Sequence, residues 1–235
     1  MISVVIPTLN AERHLPETLT ALVPAAVDGV VREVIVVDGG SSDETRVIAD
    51  LSGADIVSAA PGRGGQLSQG AKRARFPWLL FLHADTVLED EWQHQGSRFM
   101  RAVDIGERPL AAAVFRFRLD DKGLAPRTLE AFVSARCALF GLPYGDQGLL
   151  IPRRLFDEIG GYKDLPIMED VDIARRLGRK RLAFLDAAAT TSADRYRNDG
   201  YLSRSLRNQL CLVLYGAGLP VERIARIYGQ AKASP

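Results

Sequence analysis

The sequence predicts an α/β protein, with a mostly parallel central sheet in its first half, a mixed second half and helices at its C-terminal end. Three observations lead there. Short apolar runs at 2–6, 34–37, 56–57 and 78–82 alternate with stretches of helical periodicity, the order that gives parallel strands joined by right-handed crossovers. Polar residues follow those runs closely, and ligands of open α/β sheets sit at the carboxyl ends of strands. Past residue 110 the alternation loosens, and helical patterns close the chain. With 235 residues, 47% of them hydrophobic and 25% charged, the chain is long enough for one sizeable core and too apolar for disorder. No repeat or low-complexity linker divides it. One domain over 1–235 is expected, in three parts: 1–85, 86–198 and 199–230.

Taken in order, Ile2-Ser3-Val4-Val5-Ile6 reads as a buried parallel strand stopped by Pro7. A helix follows with Pro16 in its first turn and Leu15, Leu19 and Leu22 on one face. Val34–Val37 is the second strand, ending at Asp38-Gly39-Gly40. Ser41 and Glu44 then stand at capping-box spacing before a helix through about Leu51. Ile56-Val57 marks a third strand, Gln66–Arg75 a helix, and Trp78–Leu82 a strand delivering His83-Ala84-Asp85. Phe115, Phe117 and Leu119 alternate with Arg116 and Arg118, a half-exposed strand. Ala125–Phe140 reads as helix, Gly148–Ile151 as strand, Met168–Arg179 as a helix acidic at its start and basic at its end, and Tyr201–Leu214 and Val221–Tyr228 as closing helices.

Charge excludes little and favours less. The net charge is +1, which gives no reason to expect a nucleic-acid partner. Residues 1–100 carry 8 basic and 13 acidic groups, net −5, and the remainder 22 and 16, net +6, so an anionic partner would touch the second half. Cys137 and Cys211 lie far apart without a CxxC, which suits free thiols in a reducing cytosol. No signal-peptide pattern precedes Asn10, and the longest uncharged stretch, Asn208–Val221, is too short and broken to span a bilayer. A cytoplasmic protein is expected. Tyr201–Leu214 pairs Arg204 and Arg207 with Leu202, Leu206, Leu210 and Leu214. That pattern suits packing onto the domain or, less favoured, a peripheral bilayer contact.

Individually the chemical signals are modest. Asp38 beside two glycines approaches a ligand closely, yet Ser41 alone explains the turn as a helix start. Arg63-Gly64-Gly65-Gln66 offers free N–H groups and a guanidinium to phosphate, but it is neither a Walker A loop nor a dinucleotide fingerprint. Asp85 at a strand end can hold Mg²⁺ or Mn²⁺ through one or two oxygens, or cap a helix over 90–103. Glu169, Asp170 and Asp172 crowd a helix start, where acids are favoured in any case. Asp170 and Asp172 point to different faces, and a general base needs only reach to a hydroxyl. Tyr144–Gly148 is a turn or a hydroxyl-binding shelf. The predominantly basic run Arg175–Arg207 is a solvated face or a receiver of a phosphorylated acceptor.

Their order is distinctive. Val4–Asn10, then Val37–Thr45, then His83-Ala84-Asp85, then Glu169-Asp170 resembles the family 2 glycosyltransferases of GT-A fold. Pro143–Gly148 and Leu165–Val171 resemble, more narrowly, a bacterial subgroup named for genomic association with radical-SAM proteins. The resemblance implies a Rossmann-type nucleotide-sugar-binding half over 1–85, a metal, acceptor and catalytic half over 86–198, and C-terminal helices over 199–230. It implies a nucleotide-sugar site of Pro7, Thr8, Asn10, Asp38, Arg63, His83, Ala84 and Asp85, with a UDP-sugar favoured. Asp85 matches the last acid of the family's DxD motif and holds Mn²⁺ or Mg²⁺ on the diphosphate. The resemblance further implies that Asp170 is the base of an inverting transfer to a hydroxyl acceptor, that Glu169 supports it, and that Asp146 and Gln147 shape the acceptor pocket. Two departures stand out. His83 occupies the first DxD position, and no histidine follows His94 to supply the late metal ligand of some relatives; water or an acid such as Asp194 would fill that gap. A nucleotidyltransferase on a related scaffold is disfavoured, because Pro7-Thr8-Leu9-Asn10 stands where its glycine-rich basic loop belongs. A non-catalytic sugar-nucleotide binder is the other alternative, supported by the missing first acid.

Overall fold

The computed structural model describes residues 1–229. Strands β1 (Ile2–Thr8), β2 (Val31–Asp38), β3 (Asp55–Ser58) and β4 (Trp78–Phe81) lie parallel in the spatial order β3-β2-β1-β4. They are linked by α1 (Leu15–Thr20), α2 (Val23–Val27), α3 (Thr45–Leu51) and α4 (Arg63–Arg73). β1 is buried along its whole length, which accounts for its unbroken apolar run. One face of the sheet packs Ile2, Val4 and Ile6 with Leu15, Leu19 and Trp78, and the other packs Val5 and Val37 with Leu67 and Ala71 of α4.

The second half extends the same sheet. After β5 (Thr86–Leu88) and α5 (Trp92–Asp104) come β6 (Ala112–Asp120) and α6 (Leu124–Phe140), then β7 (Leu149–Pro152), α7 (Arg153–Glu158) and α8 (Glu169–Leu177). β8 (Leu182–Ser192) follows, and the chain closes with α9 (Asp194–Asp199), α10 (Tyr201–Gly216) and α11 (Val221–Tyr228). The full order is β3-β2-β1-β4-β7-β6-β8-β5. β7 runs antiparallel to β4 and to β6, while β8 runs parallel to β6. The start of β7 and the end of β8 therefore arrive at the edge where β1, β2 and β4 end. That shared edge carries the site.

Several expectations are corrected. The first helix breaks into α1 and α2, because Pro24 lacks an N–H and cannot continue it. No capping box forms between Ser41 and Glu44: the Ser41 hydroxyl turns back to Asp38 at 2.5 Å and the helix starts only at Thr45. The Ser41 hydroxyl donates to the buried Asp38 carboxylate and its oxygen accepts from Asn10 N at 2.9 Å, so it caps no helix N–H. Asp85 caps no helix, since β5 follows it and α5 begins at Trp92. β8, the longest strand, was not expected; its Ala187-Ala188-Ala189 stretch is poor strand former and is held by β6 on one side and β5 on the other. Of the α10 leucines expected to pack onto the domain, only Leu214 does, against the cluster of Ile167, Met168 and Ile224. Arg204 and Cys211 are its buried residues, while Leu202, Leu206 and Leu210 face outward. Of the expected helical part 199–230, residue 230 lies outside the described residues.

Candidate active site

At the ends of β1 and β2, Asp38 is buried and accepts hydrogen bonds from Gly40 N at 3.2 Å, Ser41 N at 3.1 Å and the Thr8 hydroxyl at 3.3 Å. Arg46 stands 3.4 Å away. Burial pushes the Asp38 carboxyl up, but the Ser41 hydroxyl and N–H, Gly40 N–H and Arg46 outweigh it and hold it below its ordinary value. Asn10, in the left-handed region at φ 51°, accepts Ser42 N at 2.9 Å and ties the two loops together. Pro7 is buried in β1 opposite Val37. Beneath them, Gln66 of α4 donates to both Thr8 O (2.8 Å) and Val37 O (2.7 Å). Sequence reasoning placed Gln66 only at a helix start; nothing in the pattern announces a buried amide bridging two strand ends.

The first residue of α4 points the other way. Arg63 Nε lies 2.9 Å from Glu169 Oε1 at the start of α8. Gly64 makes this possible: a Cβ there would sit 2.3 Å from Lys163 O, so the two backbones touch. Arg63 was expected among the nucleoside contacts; its anchor is Glu169, and the charges of Glu169, Asp170 and Asp85 raise its pKa further. Glu169 is 1% exposed, and neither carboxylate oxygen has a well-aligned hydrogen bond. Burial pushes its pKa up to about 7, against the pull of Arg63 and with the push of Asp170.

A cleft of about 590 Å³ opens next to this pair. His83 and Asp85 enter it from the end of β4, Gly145 and Asp146 from the turn before β7, Asp170 from α8 and Thr191 and Ser192 from β8. Asp170 is held by two backbone donors, Gly145 N at 2.8 Å and Val171 N at 2.7 Å. Met168, just before the acidic pair, is in the left-handed region at φ 66°, an uncommon conformation for a bulky residue. His83 stands against Gly145, where a Cβ would lie 2.6 Å from its Nε2. Burial, helped by Arg63 and opposed by Asp85 and Asp170, lowers the His83 pKa to about 4, so the imidazole is neutral. Burial likewise raises Asp146 to about 7, offset in part by Arg136. Its Oδ1 has no partner among the described residues. A second, apolar cavity lies behind, lined by Leu67, Phe81, Tyr162 and Ile173.

Two expected site residues fall elsewhere. Gln147 is buried, donates to Phe115 O at 3.0 Å and accepts from Tyr144 N at 3.3 Å; it braces the turn and does not line the cleft. Ala84 offers its carbonyl to Thr18 at 2.9 Å. Asp194, a possible substitute metal ligand, is engaged by Arg13 at 2.9 Å and His14 at 3.2 Å. Sequence reasoning missed Arg195, Tyr196, Arg204, Asn208 and Tyr228 as cleft walls, apart from the suggestion that the basic run receives an anion. Asp172 pairs with Lys163 and Arg176, on a different face from Asp170.

No cluster of three or more His, Cys, Asp or Glu side chains able to hold a metal occurs among the described residues. Asp85 nevertheless faces the cleft with only a long contact, 3.5 Å, from the Thr191 hydroxyl. Mg²⁺ is commonly held by one or two carboxylates together with phosphate oxygens and water. The residues therefore fit a cation shared with a diphosphate.

Residues 3–109 match the family model described as glycosyl transferase family 2. Glucosyl-3-phosphoglycerate synthase of Mycobacterium tuberculosis is 35% identical over 95 residues, 37% of this chain and 29% of the relative. A PGL/p-HBAD biosynthesis glycosyltransferase of Mycobacterium bovis is 35% identical over 101 residues, 37% of this chain and 36% of the relative. These sequence matches thus span about a third of each relative's length. Among solved structures, the Mycobacterium tuberculosis synthase with phosphoglyceric acid covers 94% of this chain and 81% of its own, at a TM-score of 0.62 and 24% identity. The same synthase with Mn²⁺, UDP-glucose and phosphoglyceric acid matches at 0.62 and 25%, over 94% and 80%. Residues 3–109 are thus similar to the glycosyl transferase family 2 model, and the chain has the α/β fold of the GT-A structures it matches.

Proposed function

We propose that this chain is an inverting glycosyltransferase that moves a sugar from a nucleoside diphosphate sugar, a UDP-sugar in the first instance, to an acceptor hydroxyl. One observation carries the proposal: a polar cleft collects Asp85, Asp146 and Asp170 with Arg63 and Arg195, at the sheet edge where Thr8 and Asp38 end their strands. The Mn²⁺ and UDP-glucose bound by the structural relative support the donor class. In this scheme the part up to Asp85 receives the donor and 86–198 the acceptor. Asp38, with Thr8 and Asn10 around it, accepts hydrogen bonds from the nucleoside. Arg63, anchored by Glu169, sets positive charge beside the leaving diphosphate. Asp85 would hold Mn²⁺ or Mg²⁺, which when bound neutralises charge on that diphosphate.

Asp170 takes the proton from the acceptor hydroxyl. The acceptor's hydroxyl oxygen, freed of that proton, bonds to the anomeric carbon as the carbon–oxygen bond to the diphosphate breaks, and the electron pair leaves on the diphosphate. The two backbone N–H groups fix the Asp170 carboxylate in place, and Asp146 borders the acceptor. Arg195 and Arg204 give that end positive charge, which suits an acceptor bearing an anionic group. The subgroup likeness of 165–171 falls on the segment that carries Asp170. Two buried free cysteines suit a reducing, cytoplasmic setting.

A thermal-shift panel of UDP, GDP, dTDP and CDP, each with and without Mn²⁺, tests the donor. A ligand at about a hundred times its Kd adds about 2.7 kcal/mol, or roughly 5–10 °C for a domain of this size. A Mn²⁺-dependent shift with UDP, lost in Asp85→Ala, is expected; no shift with any nucleotide overturns the proposal. Asp170→Asn should keep the UDP shift and lose transfer, and retained transfer removes Asp170 from the base role.

A further inference from the structure

α10 walls the cleft through Arg204 and Asn208, α6 backs its Tyr144 through Arg136, and both helices expose apolar stripes on their outer sides. In α10, Arg204, Asn208, Cys211 and Tyr215 turn inward, and the opposite face presents Leu202, Leu206, Leu210 and Val213, each 48–73% exposed. In α6, Val133, Arg136 and Cys137 turn inward, while Leu124, Phe132 and Leu139 are 52–88% exposed. The helices are tied at both ends. Near their starts Tyr201 donates to Asp121 at 2.6 Å, and near their ends Arg175 stacks on Tyr215 while Arg179 reaches Leu139 O. Leucine stripes on neighbouring helices are costly in water.

Charge points to what covers them. Arg175, Arg179 and Lys180, all exposed where the two helices end, form no ion pair with an acid among the described residues. α10 contains no acidic residue, and the one acid of α6, Glu130, is paired with Arg127 at 2.6 Å. A leucine face flanked by unpaired cations is what binds flat on an anionic bilayer. No helix of the described residues is long and apolar enough to cross a membrane, so the contact lies in the plane of the surface.

We propose that the outer faces of α6 and α10, with Arg175, Arg179 and Lys180, dock this protein on an anionic phospholipid bilayer. The buried face of α10 borders the cleft, and that of α6 supports Tyr144 in its wall. The corollary that the acceptor is presented at that surface rests on the transferase proposal, whereas docking itself does not.

The test is co-sedimentation with phosphatidylcholine vesicles and with mixed phosphatidylcholine–phosphatidylglycerol vesicles, alongside light scattering in solution and the UDP thermal shift. The expected result is binding to the mixed vesicles alone, weakened by raised salt. Leu206→Glu with Leu210→Glu should cut partitioning about tenfold or more, and Arg179→Ala and Lys180→Ala about fivefold each. These side chains are exposed, so an unchanged melting temperature confirms that the variants fold. Docking is overturned by absence of wild-type binding, by binding that the leucine changes leave intact, or by a solution dimer that those changes dissociate, since the face then belongs to a second copy. Vesicle binding without a UDP shift would refute the transferase proposal and keep docking; a UDP shift without vesicle binding would do the reverse.

Discussion

Gln66→Leu should lower both stability and nucleotide affinity, and the size of the first effect can be worked out. The side chain is 3% exposed and makes three hydrogen bonds: to Thr8 O, to Val37 O and, through its carbonyl, from Gly62 N at 3.3 Å. Leucine has a similar volume, so the loss is of hydrogen bonds and not of packing. Thr8 O keeps the Gly39 N–H at 2.8 Å, and Val37 O keeps its place in the β1–β2 ladder and the Thr8 hydroxyl at 3.4 Å. At about 1 kcal/mol for each lost neutral hydrogen bond, the cost is about 2–3 kcal/mol, or a fall of roughly 5–10 °C in melting temperature. Gln66→Glu should cost more, because it turns an acceptor toward two carbonyls. With the ends of β1 and β2 loosened, Thr8 and Asp38 lose their relative position, and UDP affinity should fall in parallel. Melting temperature is read by calorimetry and UDP affinity by titration. If both variants melt within about 1 °C of wild type, Gln66 does not hold these strand ends and the reasoning fails.

Two further predictions come from the cleft. Gly145→Ala places a methyl 2.6 Å from His83 Nε2 and 3.6 Å from Asp170 Cβ; overpacking of this kind costs about 1–3 kcal/mol, and the displaced imidazole should weaken the Mn²⁺-dependent UDP shift. A UDP shift equal to wild type would show that His83 moves freely. Asp146 has a folded pKa of about 7, above its ordinary 3.8, so its contribution to stability declines as pH rises between those values. The melting temperature of Asp146→Asn minus that of wild type should therefore grow from pH 4 to pH 7 and then level off; a difference independent of pH would refute the buried, unpartnered carboxylate. The subtraction also cancels His83, whose lowered pKa acts in the opposite sense, removing stability as pH falls from 6.5 toward 4.

The parallel half was legible because burial on both faces leaves a strand little but Val, Ile and Leu, as in β1 and β2. The strand-end positions of Asp38 and Asp85 were legible from the apolar runs before them, Asp85 by way of Leu82-His83-Ala84, whereas their roles came only from the family resemblance. β8 was not. Leu182–Ser192 has Asp186 in its middle and three alanines after it, and only its neighbours β6 and β5 make it a strand. Its loss from the sequence reading hid Thr191 and Ser192. The residues that α9, α10 and α11 bring to the cleft were hidden differently. Arg195 lies in α9, a helix that was not expected; Arg204 and Tyr228 lie in segments whose periodicity describes helices correctly, but periodicity says which residues share a face and not which face meets the body. In α10 both faces carry apolar residues, and the expected assignment put the leucines inward. The buried positions are in fact Arg204 and Cys211, with Arg204 reaching Asp199 at 3.1 Å.

Strand direction explains why residues from so many parts of the chain meet. A parallel sheet presents only carboxyl ends at one edge, which here supplies Thr8, Asp38, His83 and Asp85 but nothing from the acceptor side. Reversing β7 changes this. Phe81 pairs with Leu149, so the turn just before β7 stands against the segment just after β4, and Gly145 and Asp146 face His83 and Asp85. β6 restores the first direction and β8 keeps it, with Ser192 N donating to Asp85 O at 3.1 Å. β5 then turns Asp85 back along β8 through the pairing of Thr86 with Thr191, holding the acid at the sheet edge from both sides. Reversing β7 between β4 and β6 therefore converts a one-sided nucleotide edge into a two-walled cleft. Asp85 stands where the walls meet, which is why its loss should separate nucleotide binding from folding more cleanly than any other change in the site.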